Sequence, residues 1–182
     1  MSSVVISGDT SGTVTVTVPA VAGTQTATLP AATGTVMVSG NMPAFSAYAN
    51  ASQVVTSGVV TKVQFQTKEF DTATAFDNTT NYRFLPLVAG YYQINSTVRM
   101  SGTVPTNYDI YLYKNGSSYR TYLSINISSG STTVISSIGA VIYLNGSTDY
   151  LEVYADITAT SPSFSANTTN TSSFSGSLIR SA

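Results

Sequence analysis

An all-β chain folded as an antiparallel sandwich is what this sequence predicts, and three observations predict it. Only 8% of the residues are charged, against about 25% in ordinary domains. Ser, Thr, Gly, Asn and Val take up the difference; Ser and Thr keep a surface wet without charge, and Thr and Val favour extended backbone. Apolar and polar residues alternate at period two in several stretches, turn formers separate those stretches at sandwich spacing, and no stretch carries a useful 3.6-residue stripe.

The elements follow in order. Val14, Val16 and Val18 alternate with Thr13, Thr15 and Thr17, and Pro19 stops the ladder. Gly23, Pro30 and Gly34 then punctuate further short extended pieces. Residues 1–42 contain no aromatic residue, so this stretch lacks the side chains for a core of its own and reads as an extended docking or anchoring arm. The aromatic residues begin with PAFSAYA at 43–49, a first strand. Val63–Phe65 is a short strand, Glu69–Asn81 a loop of turn formers, and Tyr82–Leu85 a strand ended by Pro86. In the next strand Tyr92, Ile94, Ser96, Val98 and Met100 share one face, with Tyr91, Gln93, Asn95, Thr97 and Arg99 on the other. Asn107–Lys114 sets Tyr108, Ile110 and Leu112 against Asp109, Tyr111 and Tyr113. Asn115-Gly116 is the strongest hairpin signal in the chain, and Tyr119–Ile127 returns from it. Ser131–Leu144 is long and largely apolar, which predicts a buried strand with a bulge near Gly139. Asn145-Gly146 marks a second tight turn. Leu151, Val153, Ala155 and Ile157 then oppose Tyr150, Glu152, Tyr154 and Asp156. A loop at 159–171 precedes a closing strand, Ser172–Ile179. The sum is about eight to ten strands at sandwich spacing.

Composition also excludes. With no His the commonest general base, the usual partner of a nucleophilic Ser and the commonest transition-metal ligand are missing. With no Cys there is no disulfide and no thiolate site. A net charge of −1 and seven scattered Lys and Arg give no basic patch, so nucleic acid is not an expected partner. No apolar run approaches the ~20 residues of a spanning helix, and MSSVVISGDTSG lacks the basic region and apolar run of a signal peptide. Membrane insertion is therefore not expected, and assembly in a host cytoplasm is. Glu69 with Asp71, and Asp149 with Glu152 and Asp156, are the only acidic groupings. The first reads as solvated turn residues and the second as too sparse for the six or more oxygens of calcium. No catalytic residue, cofactor or metal site is expected. The Asn-x-Ser/Thr sequons at Asn50, Asn78, Asn95, Asn115, Asn126, Asn145, Asn167 and Asn170 follow from a composition rich in those residues.

Several motifs occur together in a specific order. PAFSAY at 43–48, Tyr82-Arg83-Phe84 with Pro86 and Gly90-Tyr91-Tyr92, Leu112-Tyr113-Lys114-Asn115-Gly116, and Phe174-Ser175-Gly176-Ser177-Leu178 resemble the opening strand, central signature, hairpin and closing strand of C1q/TNF-like domains. Phe70-Asp71 and Phe76-Asp77 stand, at looser spacing, where that family has Tyr-Asp. The family's Gly-Asp before the penultimate strand is replaced here by Asn145-Gly146-Ser147-Thr148-Asp149. The resemblance covers 43–179 and implies an antiparallel jelly-roll β-sandwich that trimerises, here carrying an extended N-terminal β arm. The division expected is an arm at 1–42 and a jelly-roll domain at 43–182. The arm's wording, SGTVTVTVPAVAGTQTATLPAATGTV, is similar to a leader segment found at the front of tailed-bacteriophage structural proteins.

Tyr suits an interface with one wet edge, and twelve Tyr with seven Phe exceed what one core needs. Tyr91, Tyr111, Tyr113, Tyr150 and Tyr154 are the candidates for a homotrimer interface. Val14, Val16, Val18, Leu29 and Val36 are the candidates for anchoring. The function expected is a non-enzymatic virion structural protein on the outer surface of a phage particle. The short arm and single knob favour a trimeric capsid decoration or cement protein bound to the major capsid protein or another virion protein. The alternative is a short tail fibre or receptor-binding tip that takes a host surface glycan on loops 71–81, 101–107 and 158–171.

Overall fold

The computed structural model describes residues 3–7, 10–17, positions 19–21, 23, 24, 26, 27, 31, 36–38 and 40, and then 42–123, 132–166 and 170–182. Two compact units result, Met1–Gly34 and Thr35–Ala182. Met37 packs against the core of the second unit, which therefore begins ahead of Pro43. Val18 and Leu29 lie outside the described residues.

The first unit holds β1 (Ser3–Ser7) and β2 (Thr13–Thr17), paired antiparallel as a separate two-stranded sheet. Gly12, at φ +80°, takes the left-handed backbone that lets the chain turn into β2.

The second unit is an antiparallel sandwich, and among the described residues it has no α-helix. Its strands are β3 (Ala44–Tyr48), β4 (Gln53–Val54), β5 (Thr61–Lys62), β6 (Thr67–Asp71), β7 (Phe76–Asp77), β8 (Arg83–Phe84), β9 (Gly90–Lys114), β10 (Ser117–Leu123), β11 (Thr133–Leu144), β12 (Leu151–Phe164) and β13 (Ser173–Ser181). The 25-residue β9 is the spine. Its first half runs between β11 and β13, with β3 and β6 beyond β13. Its second half runs between β10 and β12, with β8 and then β7 beyond β12. The two halves thus belong to different layers. Between them Val104 takes φ +51°, and the register of β12 slips twice opposite, around Ser161 at φ +52°. These are the bulges that let one strand turn from one layer into the other.

Alternation along the strands then delivers one core. Tyr92, Ile94, Val98 and Met100 from the first half of β9 meet Ile110 and Leu112 from the second, together with Leu151, Val153, Ala155 and Ile157 from β12. Aromatic rings fill the centre: Phe45 stacks on Phe84 with centroids 4.3 Å apart and meets Phe174 edge-on at 5.0 Å, the arrangements ring quadrupoles favour. Asn115 and Gly116 both have positive φ, at 54° and 76°, so the hairpin between β9 and β10 is the two-residue turn that an Asn-Gly pair predicts.

Four expectations need correction. Glu69–Asn81 is not one loop, because β6 ends and β7 lies inside it. The short strand expected at Val63–Phe65 sits two residues earlier, at Thr61–Lys62, although Val63 still donates its N–H to Val153 O at 2.9 Å. The strand expected at Ser131–Leu144 is described as Thr133–Leu144, is buried on one face only, through Ser136, Ile138, Ile142 and Leu144, and has no bulge at Gly139. β11 pairs with β9 in unbroken register from Thr133 to Leu144; among the described residues it pairs with no other strand, and Ile135, Val141 and Tyr143 on its outward face are exposed. Residues 101–107 and 158–164 are strand rather than apical loop. Those strands are joined by backbone pairing between distant segments, which their Thr- and Ser-rich composition does not advertise.

Candidate interaction site

The outward faces of the two layers are the candidates for function, and they are built differently. On the second layer, register places Glu152 opposite Tyr113, Tyr154 opposite Tyr111, and Asp156 opposite Asp109. β8 adds Arg83 beside Glu152, and β5 adds Lys62 beside Tyr154. Tyr113 stacks on Tyr154 with centroids 4.1 Å apart, and Tyr111 meets Tyr113 edge-on at 6.4 Å. Beneath these rings lie charges that are nearly inaccessible: Asp109, Glu152 and Asp156 are each exposed by 6% or less.

Such burial requires partners, and the chain supplies them. Lys62 forms an ion pair with Glu152 and also donates to the backbone oxygen of Asn81 at 3.2 Å. Burial draws the Lys62 ammonium down, but the Glu152 carboxylate outweighs it and the net shift is upward. The Tyr111 hydroxyl donates to Asp156 Oδ1 at 2.9 Å and reaches Asp109 Oδ2 at 3.4 Å. Asn107 Nδ2 donates to the same Asp109 oxygen at 3.0 Å. Burial, and behind it the Asp109 charge, hold the Asp156 carboxyl above its ordinary value in spite of the Tyr111 hydrogen bond. Burial, followed by the bond to Asp156, pushes the Tyr111 hydroxyl well above its ordinary value. Tyr150 lies at the edge of this face, with the Arg83 guanidinium 4.6 Å from its ring centre.

The first layer's outward face is the opposite case. Across it run Tyr143 and Tyr91; then Val141, Gln93, Ser177 and Ala44; then Gly139, Asn95, Ser175 and Ser46. The centre is small and uncharged, and the border is apolar and uncovered. Ile135, Val141, Tyr143, Tyr91 and Phe70 are each at least 42% exposed. Tyr91 and Tyr143 contact one another at 5.5 Å, and Arg180 lies 5.9 Å over Tyr91. A shallow depression of about 200 Å³ is open between Phe70, Gln93, Asn95, Ser175 and Ser177.

The five tyrosines marked in the sequence are therefore not brought together. Tyr91 is on the first face, while Tyr111, Tyr113 and Tyr154 are on the second with Tyr150 at its rim. Tyr143, Val141, Ile135 and Phe70 join Tyr91 and were missed. Period-two reading of β11 would have found the first three, since Ile135, Ser137, Gly139, Val141 and Tyr143 share one parity.

The acidic groupings also resolve. Glu69 accepts from Ser46 Oγ at 2.7 Å. Asp71 accepts from the N–H groups of Ala75 and Phe76 at 2.9 and 3.0 Å and pairs with Lys68 at 3.2 Å. Burial alone would raise the Asp71 carboxyl, but these donors lower it. Asp149 is not with Glu152 and Asp156. It accepts from Asn115 Nδ2 and pairs with Lys114, both at 2.8 Å, tying the two tight turns together, and these two partners hold it below its ordinary value. Among the described residues no three acidic side chains gather around one point. A second open depression, of about 420 Å³, is lined by Thr74 to Thr79, Arg83, Leu85 and Leu87. Its acid, Asp77, is held far down by the N–H groups of Thr80 and Thr79 and then by Asn81.

Two layers with this strand order can be compared with known folds. The globular domain of zebrafish complement 1qA superposes with a TM-score of 0.56 at 21% identity, over 77% of this chain and 99% of that one. Eiger TNF from S. frugiperda gives a TM-score of 0.57 at 12% identity, over 78% and 93%. Murine APRIL gives 0.57 at 12%, over 76% and 99%. The fold is a C1q/TNF-like jelly roll. No family model matches the chain, and no curated protein matches it. The likeness extends to the jelly roll's architecture and covers about three quarters of the chain. Within the jelly roll, the second-layer face is closed by its own side chains and the first-layer face is left open.

Proposed function

We propose that this chain is a non-enzymatic structural protein of a bacteriophage particle, a trimeric capsid decoration or cement protein anchored by its N-terminal arm. The observation that carries this reading is the pair of surfaces a single copy leaves uncovered. One is the open jelly-roll face bordered by Ile135, Val141, Tyr143, Tyr91 and Phe70. The other is the β1–β2 sheet, exposed at residues 4–7 and 13–17. Contiguous apolar borders around a small-residue centre suit close approach of another copy, which favours the open face for the trimer contact, with Tyr91 as its one member from the sequence candidates. The closed face supports the non-enzymatic part, because each of its buried acids is already committed to a hydrogen bond or an ion pair within the chain. The phage assignment draws on the arm's resemblance to virion leader segments. Among the arm candidates, Val14, Val16 and Val36 are exposed and so able to engage a neighbour.

Two measurements test this. Native mass of the purified chain should be that of three copies. Quantitative mass spectrometry of purified particles should give a copy number close to that of the shell protein. A few copies per particle would instead place the chain at a tail fibre or tip, and a single-copy native mass would remove the trimer.

A further inference from the structure

The β1–β2 hairpin has two unlike faces. Register sets Val4 opposite Val16 and Ile6 opposite Val14, so four β-branched aliphatic side chains share one side. Val5, Ser7, Thr13, Thr15 and Thr17 occupy the other. Each member of the apolar quartet is 57–65% exposed. Together they present on the order of 400 Å² of contiguous apolar surface, the size at which a patch marks an interaction site. A lone two-stranded hairpin is marginal in water, so the ordered form of this one requires a cover on that side.

The chemistry of the strands selects the cover. Neither β1 nor β2 carries an ionisable side chain. A charged partner would find no complementary group here, whereas identical copies meet with no like-charge repulsion. Branched side chains on a pleated surface also interlock well with their own kind. The area is about half of the ~800 Å² per partner of an interface that stands alone. Hairpins would therefore stay together only when tethered, and copies held by the jelly roll meet at roughly millimolar effective concentration.

We propose that the Val4–Ile6–Val14–Val16 face is buried against the same face of the other copies, forming a small shared core separate from that of the jelly roll. This rests on the trimer reading above. It also divides the arm's labour. The apolar face serves the copies, while the outer edges of β1 and β2, which pair with no further strand among the described residues, can add to a strand of a virion neighbour.

The test uses the full-length chain, which has no cysteine, so one introduced thiol is a unique reporter. Val16→Cys places it on the apolar face, and Val5→Cys, at a site also 57% exposed, places it on the polar face. Each is oxidised mildly, run on a non-reducing denaturing gel and weighed in its native state before oxidation. The expected result is a three-copy native mass for both, with the covalent two-chain product forming at least ~10-fold faster from Val16→Cys. Val14→Cys should behave like Val16→Cys and guards against a local disturbance at one site. A three-copy mass with equal rates at the two faces overturns the shared core and leaves the trimer standing. So does a Val16→Cys thiol that cross-links to no sister copy and becomes protected from a maleimide only on assembled particles, which would assign the face to the shell. A single-copy mass overturns the trimer itself.

Discussion

The two outward faces of the jelly roll share the spine strand β9, yet one is finished and the other is not. Where β12 and the second half of β9 face out, long side chains lie over buried acids, and every charge finds a partner inside the chain. Where β11, β13 and the first half of β9 face out, the central side chains are Ser, Gly, Asn and Thr, too short to cover the apolar border. What differs is side-chain length and charge at positions of identical backbone. A sheet face that spends its polarity internally has little left to offer a partner, and one that does not is available for binding.

Substitutions that separate the faces test this contrast. The largest effect is expected from Glu152→Ala, which strands the half-buried Lys62 ammonium. The loss should be about 2–3 kcal/mol of folding stability, read by urea denaturation at neutral pH; a loss under about 1 kcal/mol would mean that the pair does not hold the closed face. Next comes Tyr111→Phe, which removes the donor shared by Asp156 and Asp109. It should cost about 1.5 kcal/mol, and the loss should shrink in an Asp156→Asn background, because the hydroxyl then no longer serves a charged acceptor.

The pH dependence has two opposed parts. Asp71 and Asp149 titrate below the 3.8 of a free aspartate in the folded chain, so their stabilisation is present above that value and is lost as the pH falls through their lowered values. Asp156 titrates above 3.8, so its folded form holds the proton more tightly and stability is lost as pH rises from 3.8 through the raised value. Thermal melts across pH should therefore show Asp156→Asn gaining on the native chain as the pH rises toward neutrality, while both fall together in acid. Equal slopes for the two proteins would remove the strain assigned to the carboxylate pair.

The smallest effect on folding belongs to the open face. Val141→Ser should change stability by less than ~0.5 kcal/mol while lowering the native mass of the chain at micromolar concentration. A large folding loss with assembly intact would reverse the roles of the two faces.

Much of the fold could be read locally. The alternation from Tyr91 to Met100 set the inside and outside of β9 correctly, as the burial of Tyr92, Ile94, Ser96, Val98 and Met100 shows. Asn115-Gly116 placed its turn for a reason confined to two residues. The two-residue strands β4, β5 and β7 could not be read this way, since so short a piece has no period to display; β8, at Arg83–Phe84, was found inside the strand expected at Tyr82–Leu85 because Pro86 marks its end. β11 was misread because its outward positions include Ile135, Val141 and Tyr143, and apolar residues on both faces look like a buried strand until the sheet is seen to end there.

For the candidate site, the sequence pointed to outward tyrosines and could not sort them between the two faces. Tyr91 and Tyr111 stand at equivalent outward positions of one strand, and only the bend near Val104 sends them to different layers. By itself the sequence determined which side chains of each strand face in, because that depends on a backbone period of two within a few residues. Only the tertiary structure decided which outward side chains meet. The opposition of Asp109 to Asp156, and the exposure of Val141 and Tyr143, depend on the register and order of strands far apart in the chain.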